Sequence, residues 1–191
     1  MKILNKKAKI LITTLIVSML FMACGKDDDN PNTPTSNNDP FTFLKVGYEW
    51  EYDWYNVPGY STKSTIVSED SNYFRIIIDD NENFYTYWYS DGNNWQVTFN
   101  YGGTEFKHIQ IHRNCYVGQK WNTIYDNYTK LEMEVLSISD TVTVPAGTFY
   151  NCIKIKESVF ERERYYWIHK DIGEIMHIDG EAIKKLISKN F

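Results

Sequence analysis

Tyr48-Glu49-Trp50-Glu51-Tyr52-Asp53-Trp54-Tyr55 is the stretch on which the fold turns. Rings at 48, 50, 52 and 54 alternate with Glu49, Glu51 and Asp53, so the apolar period is two rather than 3.6. Successive side chains of an extended strand point to opposite faces, and this order therefore predicts a strand with one aromatic face and one wet, acidic face. The same alternation recurs downstream. Leu131, Met133 and Val135 alternate with Lys130, Glu132 and Glu134, and Ile153 and Ile155 sit between Cys152, Lys154 and Lys156. Strands buried on one face only are typical of antiparallel sheets. Turn chemistry separates them at Asp79-Asp80-Asn81-Glu82-Asn83, Asp91-Gly92-Asn93-Asn94, Tyr101-Gly102-Gly103-Thr104, Pro145-Ala146-Gly147-Thr148 and Asp179-Gly180-Glu181. Turns about ten residues apart predict an all-β, mainly antiparallel fold: a curved meander sheet forming an open barrel or a sandwich, with little helix. A weak helix near Asn122 to Tyr128 is the one exception considered, and the segment after Gly180 reads as a last strand.

Of the 31 aromatic residues among 191, only Phe21 precedes residue 41, so the expected β domain is 41–191. What precedes it is of a different kind. Lys2, Lys6, Lys7 and Lys9 lead into an apolar run from Ile10 to Ala23, which is signal-peptide anatomy and shorter than the ~20 residues a spanning helix needs. Phe21-Met22-Ala23-Cys24 resembles a bacterial lipobox, with Phe21 where Leu is usual. The resemblance implies that 1–23 is removed and that Cys24 carries the lipid. Residues 25–40 hold no aliphatic or aromatic side chain and read, with Cys24, as a disordered acidic tether. Removing the leader takes away four lysines and no acid, moving the net charge from −5 to −9. Nucleic acid is therefore excluded as an expected partner, because its binding rests on cationic side chains at phosphates.

Val46-Gly47-Tyr48-Glu49-Trp50 returns 71 residues later as Val117-Gly118-Gln119-Lys120-Trp121. In each copy a glycine would take a backbone conformation closed to other residues, and the Trp would enter a strand and fill the core. Together with Thr141-Val142-Thr143-Val144-Pro145-Ala146-Gly147-Thr148-Phe149 running on to Cys152, and the closing stretch from Tyr166 to Gly173, this pattern resembles a family of Bacteroidota lipoproteins. The family is akin to the TapB2-like and domain-of-unknown-function 3108 group. The resemblance implies curved antiparallel sheets or open barrels and carries no activity with it. The Lys26-Asp27-Asp28 run after Cys24 resembles the export signal of surface lipoproteins. It implies a lipid-anchored protein of the outer membrane, facing the cell exterior.

No arrangement of residues names a reaction. Cys115 and Cys152 remain as one possible disulfide pair, or as two separate thiols. His108 and His112 would share a strand face about 13 Å apart, too far for one ion at ~2.1 Å from each, so no metal is expected. Glu132/Glu134 and Glu161/Glu163 stand ~7 Å apart along strands, near glycosidase spacing, but their alternation places them on the wet face. Nucleophile elbows and phosphate loops are absent, and Asp140-Thr141-Val142, although it resembles a glycosylation sequon, is explained as part of the turn. The aromatic segment is what looks like a site. Phe84-Tyr85-Thr86-Tyr87-Trp88-Tyr89 puts rings on both faces of one strand, with Trp95 on the next. Tyr85, Tyr87, Trp88 and Trp95 are accordingly the candidate ligand-binding residues, for a glycan or an apolar molecule, against the alternative of a thick core with a tyrosine coat. The expected function is a non-catalytic binding or accessory module without a cofactor. The alternative is a structural or assembly lipoprotein contacting other envelope proteins.

Overall fold

The computed structural model describes residues 41–57, 59–101, 104–124 and 130–191, without the side chains of 99–101, 104–107 and 124. The leader 1–23, Cys24 and the tether to residue 40 lie outside the described residues. Twelve strands follow one another: β1 Glu49–Tyr55, β2 Ser61–Asp70, β3 Tyr73–Ile78, β4 Asn81–Ser90, β5 Asn94–Tyr101 and β6 Thr104–His112 in the first half. The second half holds β7 Lys120–Ile124, β8 Lys130–Val144, β9 Gly147–Val159, β10 Arg162–His169, β11 Gly173–Asp179 and β12 Ala182–Asn190. No helix occurs among the described residues. Asn122 to Ile124 of the expected weak helix belong to β7 instead, and its remainder, 125–128, lies outside the described residues.

All twelve strands form one antiparallel sheet, in the order β6-β5-β4-β3-β2-β1-β12-β11-β10-β9-β8-β7. It curls into a nearly closed barrel, which decides between the barrel and the sandwich. Because β1 pairs with β12, the two ends of the domain meet in an antiparallel ladder of seven residue pairs from Glu49↔Asn190 to Tyr55↔Ile183, with a register shift between Glu51 and Tyr52. The two strands left at the ends of the sheet are neighbours in sequence, β6 and β7. No ladder joins them among the described residues. Instead the Trp121 indole donates to the Ile109 carbonyl at 3.1 Å, and the Ile109 amide donates to Thr123 Oγ1 at 3.1 Å.

The sequence echo is a structural repeat. Gly47 and Gly118 have φ of 88° and 85° in two turns of the same build. Tyr48 N donates to Lys45 O at 3.1 Å and Gln119 N to Tyr116 O at 3.0 Å, closing four-residue turns that need a positive φ at the third position. Each glycine amide then bonds the neighbouring strand, Gly47 to Ile66 O and Gly118 to Val135 O, both at 2.8 Å. The repeat therefore opens β1 and β7 alike, each the first of six strands.

Alternation sends Trp50, Tyr52, Ile66, Ile76, Met133, Val135, Ile153 and Ile155 into the interior, where each is at most 2% exposed. At the end of the barrel where β1 begins, Phe43 acts as a plug. Its ring meets Trp50, Trp88 and Trp95 edge-on at centroid distances of 6.3, 6.2 and 5.0 Å. Edge-to-face pairs add roughly 0.5–1.5 kcal/mol each beyond area burial. The β8–β9 hairpin is the longest, and three register shifts bend it until Ala146 N reaches Leu186 O of β12 at 3.2 Å.

Candidate ligand-binding site

The barrel interior is apolar at the plugged end and polar toward the other, and a cavity of about 240 Å³ lies between. Tyr52, Trp88, Trp95 and Tyr166 form its aromatic wall, and Ile76, Ile78 and Val97 add aliphatic surface. Ser64, Gln110, Glu174, His177 and Lys184 supply its polar groups. Strand alternation places most of them, since Trp88↔Val97 and His177↔Lys184 are cross-strand partners on one face, and the register shift of β11 against β10 between Trp167 and Ile168 brings Glu174 to the same wall as His177.

The charges of the cavity compensate one another. Lys184 Nζ lies 2.8 Å from Glu174 Oε1 and 4.1 Å from the centroid of the Tyr52 ring. Burial pushes the Glu174 carboxyl up, but Lys184 and His177 outweigh it and hold it below the usual carboxylate range. Tyr52 donates its hydroxyl to the Glu174 carbonyl at 3.2 Å, and burial raises its pKa well above the usual value. The His177 ring stacks on Tyr166 at 4.5 Å and 21°, and burial lowers its pKa, so it is neutral at neutral pH. The ring nitrogens Trp54 Nε1, Trp95 Nε1 and His177 Nε2 are buried, with essentially no accessible surface, and have no hydrogen-bond partner among the described residues.

A second buried group supports this wall from below. Glu157, with no exposed surface, accepts from Arg164 Nη1 at 2.6 Å and from the Tyr166 hydroxyl at 3.0 Å, and His108 Nε2 lies 3.4 Å away. Arg164 also donates through Nε to Asp179 at 3.1 Å. Burial pushes the His108 pKa down to about 4 against the pull of Glu157. These interior ion pairs were not foreseen from sequence, though a signal for them exists. Glu157 stands in phase with Ile153 and Ile155, and Lys184 in phase with Leu186, so each charge occupies a position where the pattern calls for an apolar side chain.

The four aromatic candidates part company. Trp88 and Trp95 face inward, in contact with each other at 5.2 Å and 73°, and both line the cavity. Tyr85 is 51% exposed on the outer face, where Arg75 lies over its ring at 4.8 Å, and Tyr87 lies beside it at 5.6 Å. Tyr73 and Tyr89 extend that outer cluster.

Cys115 and Cys152 are free, buried thiols, which corrects the possible disulfide. Cys115 sits in the β6–β7 connection, whereas Cys152 is held within β9 with its thiol 3.6 Å from Phe149 O. Burial raises both thiol pKa values, that of Cys152 to about 11 with help from Asp140, so neither is poised as a thiolate. The carboxylate pairs are surface charges: Lys120 bridges Glu132 and Glu134 at 3.5 Å each, and Lys156 lies 3.6 Å from Glu163. His112 bonds Asn94 on the neighbouring strand, away from His108. Among the described residues no three His, Cys, Asp or Glu side chains converge as a metal set. No family profile, no curated protein and no solved structure matches this chain.

Proposed function

We propose that this protein is a non-catalytic binding module, held to the outer membrane by a lipid on Cys24 and facing the cell exterior, whose ligand occupies the barrel interior. The observation that carries this reading is the interior cavity of about 240 Å³, walled by Tyr52, Trp88, Trp95 and Tyr166 with the polar groups of Ser64 and Gln110 beside them. Small-molecule sites are built of such apolar and aromatic walls with a few polar groups that fix orientation. The interior carboxylates of Glu157, Glu174 and Asp179 are all engaged by cations, which favours binding over acid–base chemistry.

Saturation-transfer NMR with a library of compact molecules tests it. Wild-type protein is expected to give signals that disappear in Ser64→Phe, whose ring would fill the cavity. Equal signals from both proteins would place binding elsewhere and end the interior reading. For the anchor, Cys24→Ala is expected to move the protein out of the membrane pellet, and an unchanged distribution would refute lipidation at Cys24.

A second reading, a structural or assembly lipoprotein contacting other envelope proteins, is favoured by Phe160 and Phe84, which are 91% and 60% exposed. A stoichiometric protein partner crosslinked in cells and lost in Phe160→Ala would support it over the first.

A further inference from the structure

We infer that the outer face of β2 to β4 carries a second site, separate from the interior cavity, that takes the sugar units of an uncharged glycan chain. The site is a cleft open to solvent and lined by Ser68, Asp70, Tyr73, Arg75 and Tyr87. Cross-strand register builds it. Asp70, Tyr73 and Tyr89 form one row across the sheet, and Ser68, Arg75 and Tyr87 form the next row, two residues along each strand. Phe74 and Trp88, the pair between these rows, pack into the interior, so the side chains of the two rows point outward.

Charge selects a neutral occupant. Arg75 is fixed by Glu82, with Nη1 2.8 Å from Oε2 and Nη2 donating to the Glu82 carbonyl at 3.0 Å, and its guanidinium lies 4.8 Å over the Tyr85 ring. Asp70, in the neighbouring row, accepts from Ser71 Oγ at 3.3 Å and forms no ion pair among the described residues. An anionic ligand in the cleft would meet Asp70, and a cationic one would meet Arg75. A neutral ligand meets neither repulsion. The guanidinium only donates, and its five N–H groups leave donors beyond those given to Glu82, whereas an ionised carboxylate only accepts. Hydroxyl groups do both. Neighbouring hydroxyls of one sugar ring can accept from Arg75 and donate to Asp70, and hydrogen bonds to charged partners are the stronger kind. An acyl chain would answer neither group.

The tyrosines supply the apolar part of the site. Tyr73 and Tyr87 meet at 85° with centroids 6.4 Å apart, a corner against which the carbon-bound hydrogens of a sugar ring can pack. Tyr85 and Tyr89 flank Tyr87 on the same strand face, which sets three rings along about 13 Å of β4. Such a row, open to solvent, suits successive units of a chain. A stable protein interface engages roughly 20–30 residues on each side, far more than this cluster offers.

The test titrates the full chain, in a detergent without a sugar headgroup, with cellohexaose, maltohexaose, xylohexaose and mannohexaose, and with hexagalacturonate as the charged control. Calorimetry is expected to show saturable binding of at least one neutral hexasaccharide. Asp70→Asn keeps the shape of the side chain and removes its charge, and it is expected to weaken that sugar about tenfold, the effect of one charge-assisted hydrogen bond. Tyr87→Ala is expected to weaken it about three- to tenfold through the lost ring face. Asp70→Asn, at an exposed strand end, keeps the site testable should Tyr87→Ala disturb the sheet. Tyr150→Ala, which removes an exposed ring from β9, and Ser64→Phe, which fills the interior cavity, are expected to leave binding unchanged. Sugar binding lost in Ser64→Phe but kept in Asp70→Asn and Tyr87→Ala would overturn the outer site and leave the interior reading standing. Binding of hexagalacturonate alone would overturn the neutral ligand. Binding of none of the five, together with an empty glycan array, would overturn the site, and a protein crosslinked in cells and lost in Tyr87→Ala would then assign this face to a protein partner.

Discussion

The barrel has two seams, and the same turn opens the strand beside each. Beside β1 the Val-Gly-x-x-Trp turn leads into a backbone ladder with β12, seven pairs long. Beside β7 an equivalent turn, with matching glycine φ and matching hydrogen bonds, leads to a seam in which Trp121 and Thr123 reach across to the backbone of Ile109. The difference lies in what flanks the turn. β1 has seven residues and a nine-residue partner in β12, and their ladder persists through a register shift between Glu51 and Tyr52, whereas β7 has only five residues. A shared local motif thus specifies how a strand begins but not what it pairs with.

Removing the tryptophan of each copy should separate the seams most widely. Trp50 is fully buried, its indole bonded to Ile172 O, and Trp50→Ala is expected to lose about 3–5 kcal/mol of unfolding free energy. Trp121→Ala removes a half-buried ring and one hydrogen bond, and about 1–2 kcal/mol is expected. Urea unfolding of both variants reads this difference. Equal losses would mean that the second seam carries as much of the fold as the first.

Acid should act on the second seam through His108, which stands on β6 and reaches Glu157 on β9. Its pKa is about 4 in the fold and 6.5 when unfolded, so between those values the unfolded chain binds the proton and the folded chain does not. Stability is therefore full above about pH 6.5 and lost as pH falls toward 4, by up to roughly 3 kcal/mol from this group. His112, His169 and His177 are also lowered by burial and act in the same direction. The share of His108 is read by subtracting the profile of His108→Gln from that of wild type. A flat difference between pH 4 and 6.5 would show that His108 titrates normally and does not brace the seam.

The smallest effect probes what the seams share. Gly47→Ala and Gly118→Ala each place a Cβ at positive φ with no atom within 4 Å, so strain alone should act. Each is expected to lose about 1–2 kcal/mol, by nearly equal amounts. A marked inequality in thermal unfolding would break the equivalence of the two turns.

Much of the fold was legible in the sequence because β structure writes its period into one strand at a time. Trp50 and Tyr52, or Met133 and Val135, declare an inner face without reference to any neighbour. The single twelve-stranded sheet was not legible as such, since joining its halves depends on β1 meeting β12 across the length of the domain. Half of the candidate site was named from its rings, Trp88 and Trp95, while Tyr85 and Tyr87 on the same segment proved to face outward. Rings on both faces of one strand cannot be sorted until the opposite wall is known. Glu174, His177 and Lys184 were missed because each reads alone as an ordinary surface charge or an isolated histidine.

By itself, the sequence determined the all-β, mainly antiparallel class, turns such as Pro145 to Gly147 and Asp179 to Glu181, and the repeated Val-Gly-x-x-Trp element, because each depends on residues adjacent along the chain. Tertiary structure alone decided that the sheet curls into a nearly closed barrel, that Cys115 and Cys152 stay apart, and that Trp95 and His177 line one cavity. Those outcomes depend on distances between strands up to eleven places apart in order, and pairing and curvature set them only once the whole sheet has formed.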